Sequence, residues 1–344
     1  MNLWLIVKLI RVICCNQKDK KLFVHLVFFY FWRRKTRLVM IDFSVTVLGC
    51  GSAVPTRTAN PSAQLISYRN KQFLIDCGEG TQMRMIEYNV RHRNLNHIFI
   101  SHLHGDHFFG LIGLISTFHL IKRRSVLHLY APRILKSLIE HHLEATGTSL
   151  SFSLLFTPLE DFQNSNLYED DYLFIRAFPI NHGIPTWGFL IKEKKKQRGI
   201  DKSFIRKYKP DVKEITEILK GKDFITGDGS LLPNNSITND PHPVRSFAYC
   251  SDTAYEPSIA DFISGVDLLY HEATFDNAMQ EKAHEWLHST AAEAAMIAKL
   301  SGAKKLLIGH FSNRHNNFQL LLDEAKAVFE NTFICKEGQT YTIV

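Results

Sequence analysis

Cysteine is scarce in this 344-residue chain: Cys14, Cys15, Cys50, Cys77, Cys250 and Cys335 are all there are, with no C-x-x-C pair among them. Scattered this way they make no disulfide framework, and the expectation is buried free thiols in a reducing, cytoplasmic setting. Long hydrophobic runs are also missing. The apolar runs at 3–10 and 22–32 are interrupted or flanked by lysines and arginines, and each falls well short of the roughly 20 residues a spanning helix needs. No small-residue cleavage site follows the first, which argues against a secretory signal. No membrane is therefore expected as a partner. Gly49 and Gly51 follow an apolar run, but they are too few for a dinucleotide fingerprint.

Most of the chain also lacks an excess of either charge. The net charge is +7, yet residues 1–39 hold nine Lys/Arg and one acidic residue, leaving 32 basic and 33 acidic residues in 40–344. Bulk charge thus gives no argument for nucleic-acid binding, and any basic surface must be local. Regular alternation begins just after Met40. The expected layout is an upstream extension over 1–39 with little defined structure, a natural start at Met40, and one catalytic domain over 40–344. With 45% hydrophobic and 22% charged residues, there is ample material for a core.

What the chain does have is concentrated in residues 97–110, which read H-I-F-I-S-H-L-H-G-D-H-F-F-G. Ile98, Phe99 and Ile100 form a short apolar run, a plausible buried strand. His102, His104, Asp106 and His107 follow it at once. Imidazole nitrogens and a carboxylate oxygen are borderline-to-hard donors, suited to zinc or a similar divalent ion. A strand delivering such residues into a loop is how α/β enzymes present chemistry.

In order, the pattern predicts strands at 43–48, 64–68, 72–76, 98–100, 126–130, 172–180, 186–191, 245–250, 267–270, 304–308 and 340–344. Helices are expected at 81–88, 108–121, 132–144, 211–220, 291–300 and 317–330, with Ser289 or Thr290 capping the one at 291. Residues 192–240 change character, with a basic first half and a Gly-, Asn- and Pro-rich end, and read as an inserted arm. His102, His182, Asp252, His271 and His310 all fall at or just past a predicted strand end, so one rim could gather them.

The ordered set His102-x-His104-x-Asp106-His107, His182, Asp252 and His310 resembles the metallo-β-lactamase superfamily. Three further pieces resemble ribonuclease Z, the endonuclease family that trims 3′ trailers from precursor tRNA. They are Asn181-His182-Gly183-Ile184-Pro185, His271-Glu272-Ala273-Thr274-Phe275 and His288-Ser289-Thr290. The resemblance implies an α/β fold, a four-layer αββα sandwich, carrying two zinc ions (Zn2+) per subunit. His102, His104 and His182 would hold one, Asp106, His107 and His310 the other, with Asp252 bridging. Seven ligands are too many for one tetrahedral zinc but suit two ions sharing a carboxylate. Such a pair can stabilise both the attacking and leaving oxygens of a phosphodiester displacement.

By the same resemblance Asp106 would accept the nucleophile's proton, and Glu272 with His288 would protonate the leaving 3′-oxygen. The family's tRNA-gripping arm corresponds to 192–240. Its basic residues, among them Lys194, Lys195, Lys196, Arg198, Arg206 and Lys207, would supply salt-sensitive phosphate contacts. The implied assembly is a homodimer whose partner lends its arm to precursor tRNA. The competing expectation is a hydrolase of the same fold acting on a small phosphodiester or ester.

Overall fold

Two seven-stranded sheets frame the molecule, and each passes from an antiparallel edge into a parallel run. The structure, a computed structural model, describes residues 43–344 apart from 58, 163, 164, 197, 242 and 316. The expected extension over 1–39, the start at Met40, and Cys14 and Cys15 lie outside the described residues.

The chain opens with β1 (Phe43–Gly49), β2 (Ala63–Tyr68) and β3 (Lys71–Ile75), an antiparallel meander. Helix α1 (Thr81–Glu87), β4 (Leu95–Phe99), α2 (Gly105–Leu120), β5 (Leu127–Ala131), α3 (Ile134–Ala145) and β6 (Leu154–Pro158) continue it as a parallel run. The second sheet begins with β7 (Asn166–Glu169), β8 (Leu173–Asn181) and β9 (Pro185–Glu193). An arm then leaves the sheet as β10 (Gly199–Ile200), α4 (Lys202–Tyr208), α5 (Val212–Leu219), β11 (Phe224–Ile225), β12 (Leu231–Leu232), α6 (Asn234–Ile237) and β13 (Thr238–Asn239). The chain returns as β14 (Ser246–Cys250), α7 (Ile259–Phe262), β15 (Leu268–Glu272), α8 (Gln280–Glu285), α9 (Ala291–Ser301), β16 (Leu306–Gly309), α10 (Gln319–Val328) and β17 (Thr332–Ile334). Finally β18 (Thr340–Thr342) pairs antiparallel with β1. The strand orders are β18-β1-β2-β3-β4-β5-β6 and β17-β16-β15-β14-β9-β8-β7.

Apolar residues of both sheets meet between them, among them Phe43, Val45, Phe99, Phe189, Ile191 and Phe247. The outer face of the first sheet is sealed by Leu111, Leu114, Ile115 and Phe118 of α2 against Leu74, Ile98 and Leu129. Each such side chain contributes about 1.5–3 kcal/mol when fully buried. On the second sheet α9 lies over β15 and β16, and its alanines let it sit close. The result is the four-layer αββα sandwich. Strands covered on both faces need apolar residues on both, hence unbroken runs such as Phe247-Ala248-Tyr249-Cys250.

The structure departs from the sequence reading at several ends. Helix α2 starts at Gly105, not near 108, so Asp106 and His107 lie in its first turn and only His102 and His104 precede it. An acidic first-turn residue suits the positive end of the helix dipole. Strands β6, β7 and β17 were not expected; β6 and β7 are half-exposed edge strands with weak alternation. Helix α4 sits inside the basic stretch, started by Asp201, whose carboxylate accepts from the amides of Ser203 and Phe204. As expected, Thr290 caps α9, in a reciprocal box with Glu293.

Candidate metal centre and catalytic cleft

The parallel strands all point their carboxyl ends to one rim, where α/β sheets present ligands. The first sheet delivers Asp76 just after β3 and His102, His104, Asp106 and His107 after β4. The second delivers His182 in the β8–β9 turn, Asp252 after β14, Glu272 at the end of β15 and His310 after β16. All seven expected ligand positions converge there. Donor atoms of His102, His104, His182 and Asp252 lie within 4.8 Å of one another, as do those of Asp106, His107, Asp252 and His310. Asp252 belongs to both groups.

Four rings are aimed from behind through Nδ1. His107 Nδ1 donates to Asp76 Oδ2 at 2.8 Å, His182 Nδ1 to the Leu287 carbonyl at 2.8 Å. His102 Nδ1 is 3.0 Å from Ser101 Oγ and His310 Nδ1 is 3.0 Å from Thr274 Oγ1. With Nδ1 held, each ring turns Nε2 inward, and a metal bound there would displace any proton that Nε2 carries. His102 Nε2, His107 Nε2 and Asp252 Oδ1 are buried without a hydrogen-bond partner. Buried polar atoms are normally satisfied, so these orphaned donors fit a divalent cation.

Two buried carboxylates, one per sheet, anchor the set. Asp76 accepts from Ser101 N and Tyr249 OH besides His107, and Ser101 Oγ links it onward to His102. Glu272 is fully buried and accepts from the amides of Thr253, Thr274 and Ser289, from Thr274 Oγ1 and from His288 Nδ1. Thr274 Oγ1 passes its hold on to His310. Glu272 therefore stands behind His288, with both oxygens engaged. Asp76 escaped the sequence reading, hidden in a turn; its signal was a carboxylate directly ending the apolar run Phe73-Leu74-Ile75.

Charge follows the same plan. Burial opposes ionisation of Asp106, but its hydrogen bond to His310 and the charges of His107 and His310 outweigh it and hold the carboxyl low. The Ala53 amide donates to its Oδ2 at 2.8 Å. Burial likewise works against His288 protonation, yet Glu272 outweighs it and pushes the imidazole up to about 9. Asp106, Asp252, His182, His288 and His310 all line a cleft of about 540 Å³. A second groove of about 760 Å³ meets it at His104, between Leu103, Ile184, Pro185, Arg133 and Lys136. Positive φ angles at Ala53, Asp76, Leu287 and His310 surround this site, where backbone strain is commonly held by function.

The basic residues of the arm divide. Lys194 pairs with Glu169, and Arg198 is tied to Asp240 and Thr238. Lys195, Lys196, Arg206 and Lys207 are exposed.

A family model described as "Anti-Pycsar protein Apyc1" matches residues 43–193. Ribonuclease Z of Bacteroides fragilis is 44% identical over 299 residues, covering 87% of this chain and 98% of that protein. The chain belongs to the ribonuclease Z family. Ribonuclease Z of Porphyromonas gingivalis gives 43% over 298 residues, with the same coverage, 87% and 98%. Among solved structures, human tRNase Z, short form, aligns with a TM-score of 0.61 at 27% identity over 88% of this chain and 99% of that one. The metallo-β-lactamase fold protein YhfI of Bacillus subtilis gives 0.61 at 21%, over 87% and 98%. The chain thus has the metallo-β-lactamase fold expected from its histidines.

Proposed function

We propose that the protein is a zinc-dependent endoribonuclease that removes the 3′ trailer from precursor tRNA. The observation that carries this is the joining, in one cleft, of seven inward-facing ligand residues with the Glu272–His288 pair. Family membership supplies the substrate. In this reading His102, His104 and His182 would hold one zinc ion, Asp106, His107 and His310 a second, and Asp252 would serve both. Bound there, the ions would acidify a water for attack at neutral pH and offset charge on the reacting phosphate.

The chain's own groups do the rest. Asp106, held ionised and fixed by the Ala53 amide, takes up the nucleophile's proton. His288, protonated at neutral pH, gives its proton to the leaving 3′-oxygen. Glu272 acts through His288, fixing its ring and its charge. Space on both sides of His104 suits a strand that continues past the cut, which favours RNA over a small diester. We assign residues 40–344 as the catalytic domain and 192–240 as its tRNA arm. Lys195, Lys196, Arg206 and Lys207 are its phosphate contacts, and a homodimer brings a partner's arm to the substrate. The described residues include no helix long and apolar enough to cross a membrane. Cys50, Cys77, Cys250 and Cys335 are buried and free, in keeping with a cytoplasmic enzyme.

The test is incubation of the purified chain with a 3′-extended precursor tRNA, with chelator and after zinc is restored. Cleavage lost with chelator and regained with zinc is expected, and His104→Ala should abolish it. A zinc-loaded protein that leaves the precursor intact but hydrolyses a small diester would overturn the assignment.

A further inference from the structure

Three consecutive residues after α8 do different things at the cleft. The Leu287 carbonyl holds His182, His288 faces the cleft, and Trp286 forms part of its wall. A positive φ of 55° at Leu287 makes the sharp turn between them. Trp286 is 44% exposed, although Phe275 packs edge-on against its ring at 6.0 Å. Tryptophan left open in a catalytic cleft contributes little to the core.

Two cations lie over it. The Lys282 ammonium is 4.4 Å and the Arg314 guanidinium 5.1 Å from the ring centre. Arg314 also lines the cleft, and among the described residues neither cation has a carboxylate partner. An exposed aromatic face beside unpaired cations is how proteins hold an unstacked nucleotide, base on the ring and phosphate on the charge.

We propose that Trp286, with Arg314 and Lys282, seats the nucleotide bearing the leaving 3′-oxygen, the last one kept by the mature RNA. The base lies against the indole, and the displaced cations meet the neighbouring phosphates. The side of the cut follows from His288. It serves the leaving oxygen in the function proposed above, on which this inference rests, and it is two residues from Trp286. Because stacking uses the π-face common to all bases, the seat accepts any base at that position.

The experiment compares precursor tRNA carrying an intact or an abasic nucleotide at that position, cut by the wild type, Trp286→Ala and Trp286→Phe. Removing the base should lower wild-type kcat/KM about tenfold. Trp286→Ala should lose a similar factor on the intact substrate and nothing further on the abasic one. Trp286→Phe should stay within about threefold of wild type. Equal losses for Trp286→Ala on both substrates would mean the ring only props the loop, and overturn the proposal. So would coupling found instead with an abasic first trailer nucleotide. A wild type that cuts neither precursor removes the functional reading itself, and this seat with it.

Discussion

Replacing Asp76 by asparagine tests the idea that the rim is aimed by buried carboxylates. Asp76 Oδ1 accepts from the Ser101 amide at 2.8 Å, and Oδ2 accepts from His107 Nδ1 at 2.8 Å, Tyr249 OH at 2.7 Å and Ser101 Oγ at 3.0 Å. Asparagine has one acceptor oxygen and one NH2. With the NH2 towards Ser101 N, two donors face each other. Turned the other way, the NH2 meets three donors; the two hydroxyls can rotate to accept, but His107 can do so only by moving its proton to Nε2. That move occupies the lone pair needed for a metal. Loss of such an outer partner typically costs 10–100-fold in metal affinity, about 1.4–2.8 kcal/mol. Breaking a charge-assisted hydrogen bond takes a further ~1.5–3 kcal/mol from folding. Chelator competition measures the first and denaturant unfolding of the metal-free protein the second. We expect cleavage to be recovered in part by excess zinc. A variant with wild-type zinc affinity and rate would refute the reasoning, because the His107 tautomer would then not depend on Asp76.

Gly110 packs where a Cβ would stand 2.2 Å from the Gly78 carbonyl oxygen and 3.0 Å from that of Cys77. Gly110→Ala must push α2 off backbone, so about 3 kcal/mol of stability should go in denaturant unfolding, together with zinc retention. The Lys71–Asp170 pair joins β3 to the β7–β8 turn at 2.5 Å. Burial opposes ionisation of Asp170, but Lys71 and the amides of Leu173 and Tyr172 outweigh it and take its carboxyl down to about 2. A depressed carboxyl stabilises the fold above its unfolded value, and that stability is lost as pH falls from about 4 towards 2. With Lys71 side-chain exposure at 45%, screening leaves about 1 kcal/mol. Asp170→Asn should show that deficit in unfolding midpoints at pH 6, keep part of it at about pH 3, and converge on wild type only near pH 2 and below.

The candidate ligands were legible because metal chemistry restricts residue types. Only His, Asp, Glu or Cys serve, and His102, His104, Asp106 and His107 crowd into one turn while His182, Asp252 and His310 each end an apolar run. Their supports were not legible, because almost any polar side chain can hold a ring. Ser101, Thr274 and the Leu287 carbonyl have no signature, and Asp76 reads as a turn residue. Glu272 was visible through its H-E-A-T setting, but only its five donors reveal that it works from behind His288. The edge strands β6, β7 and β17 were missed since half-exposed strands carry weak alternation. The start of α2 was misplaced because Gly105 and a polar first turn hide a helix whose apolar stripe begins later.

The arm has an apolar nucleus of its own. Phe204, Ile218, Phe224 and Ile237 cluster apart from the two cores of the sandwich. So small a nucleus sustains only a weak cooperative unit, able to unfold locally while the rest stays intact. In the function proposed above, the rim can thus keep its geometry while the arm shifts to accept a bulky RNA. Tolerance of movement and rigidity at the bond being cut are assigned to different parts of one polypeptide, and either can drift without retuning the other.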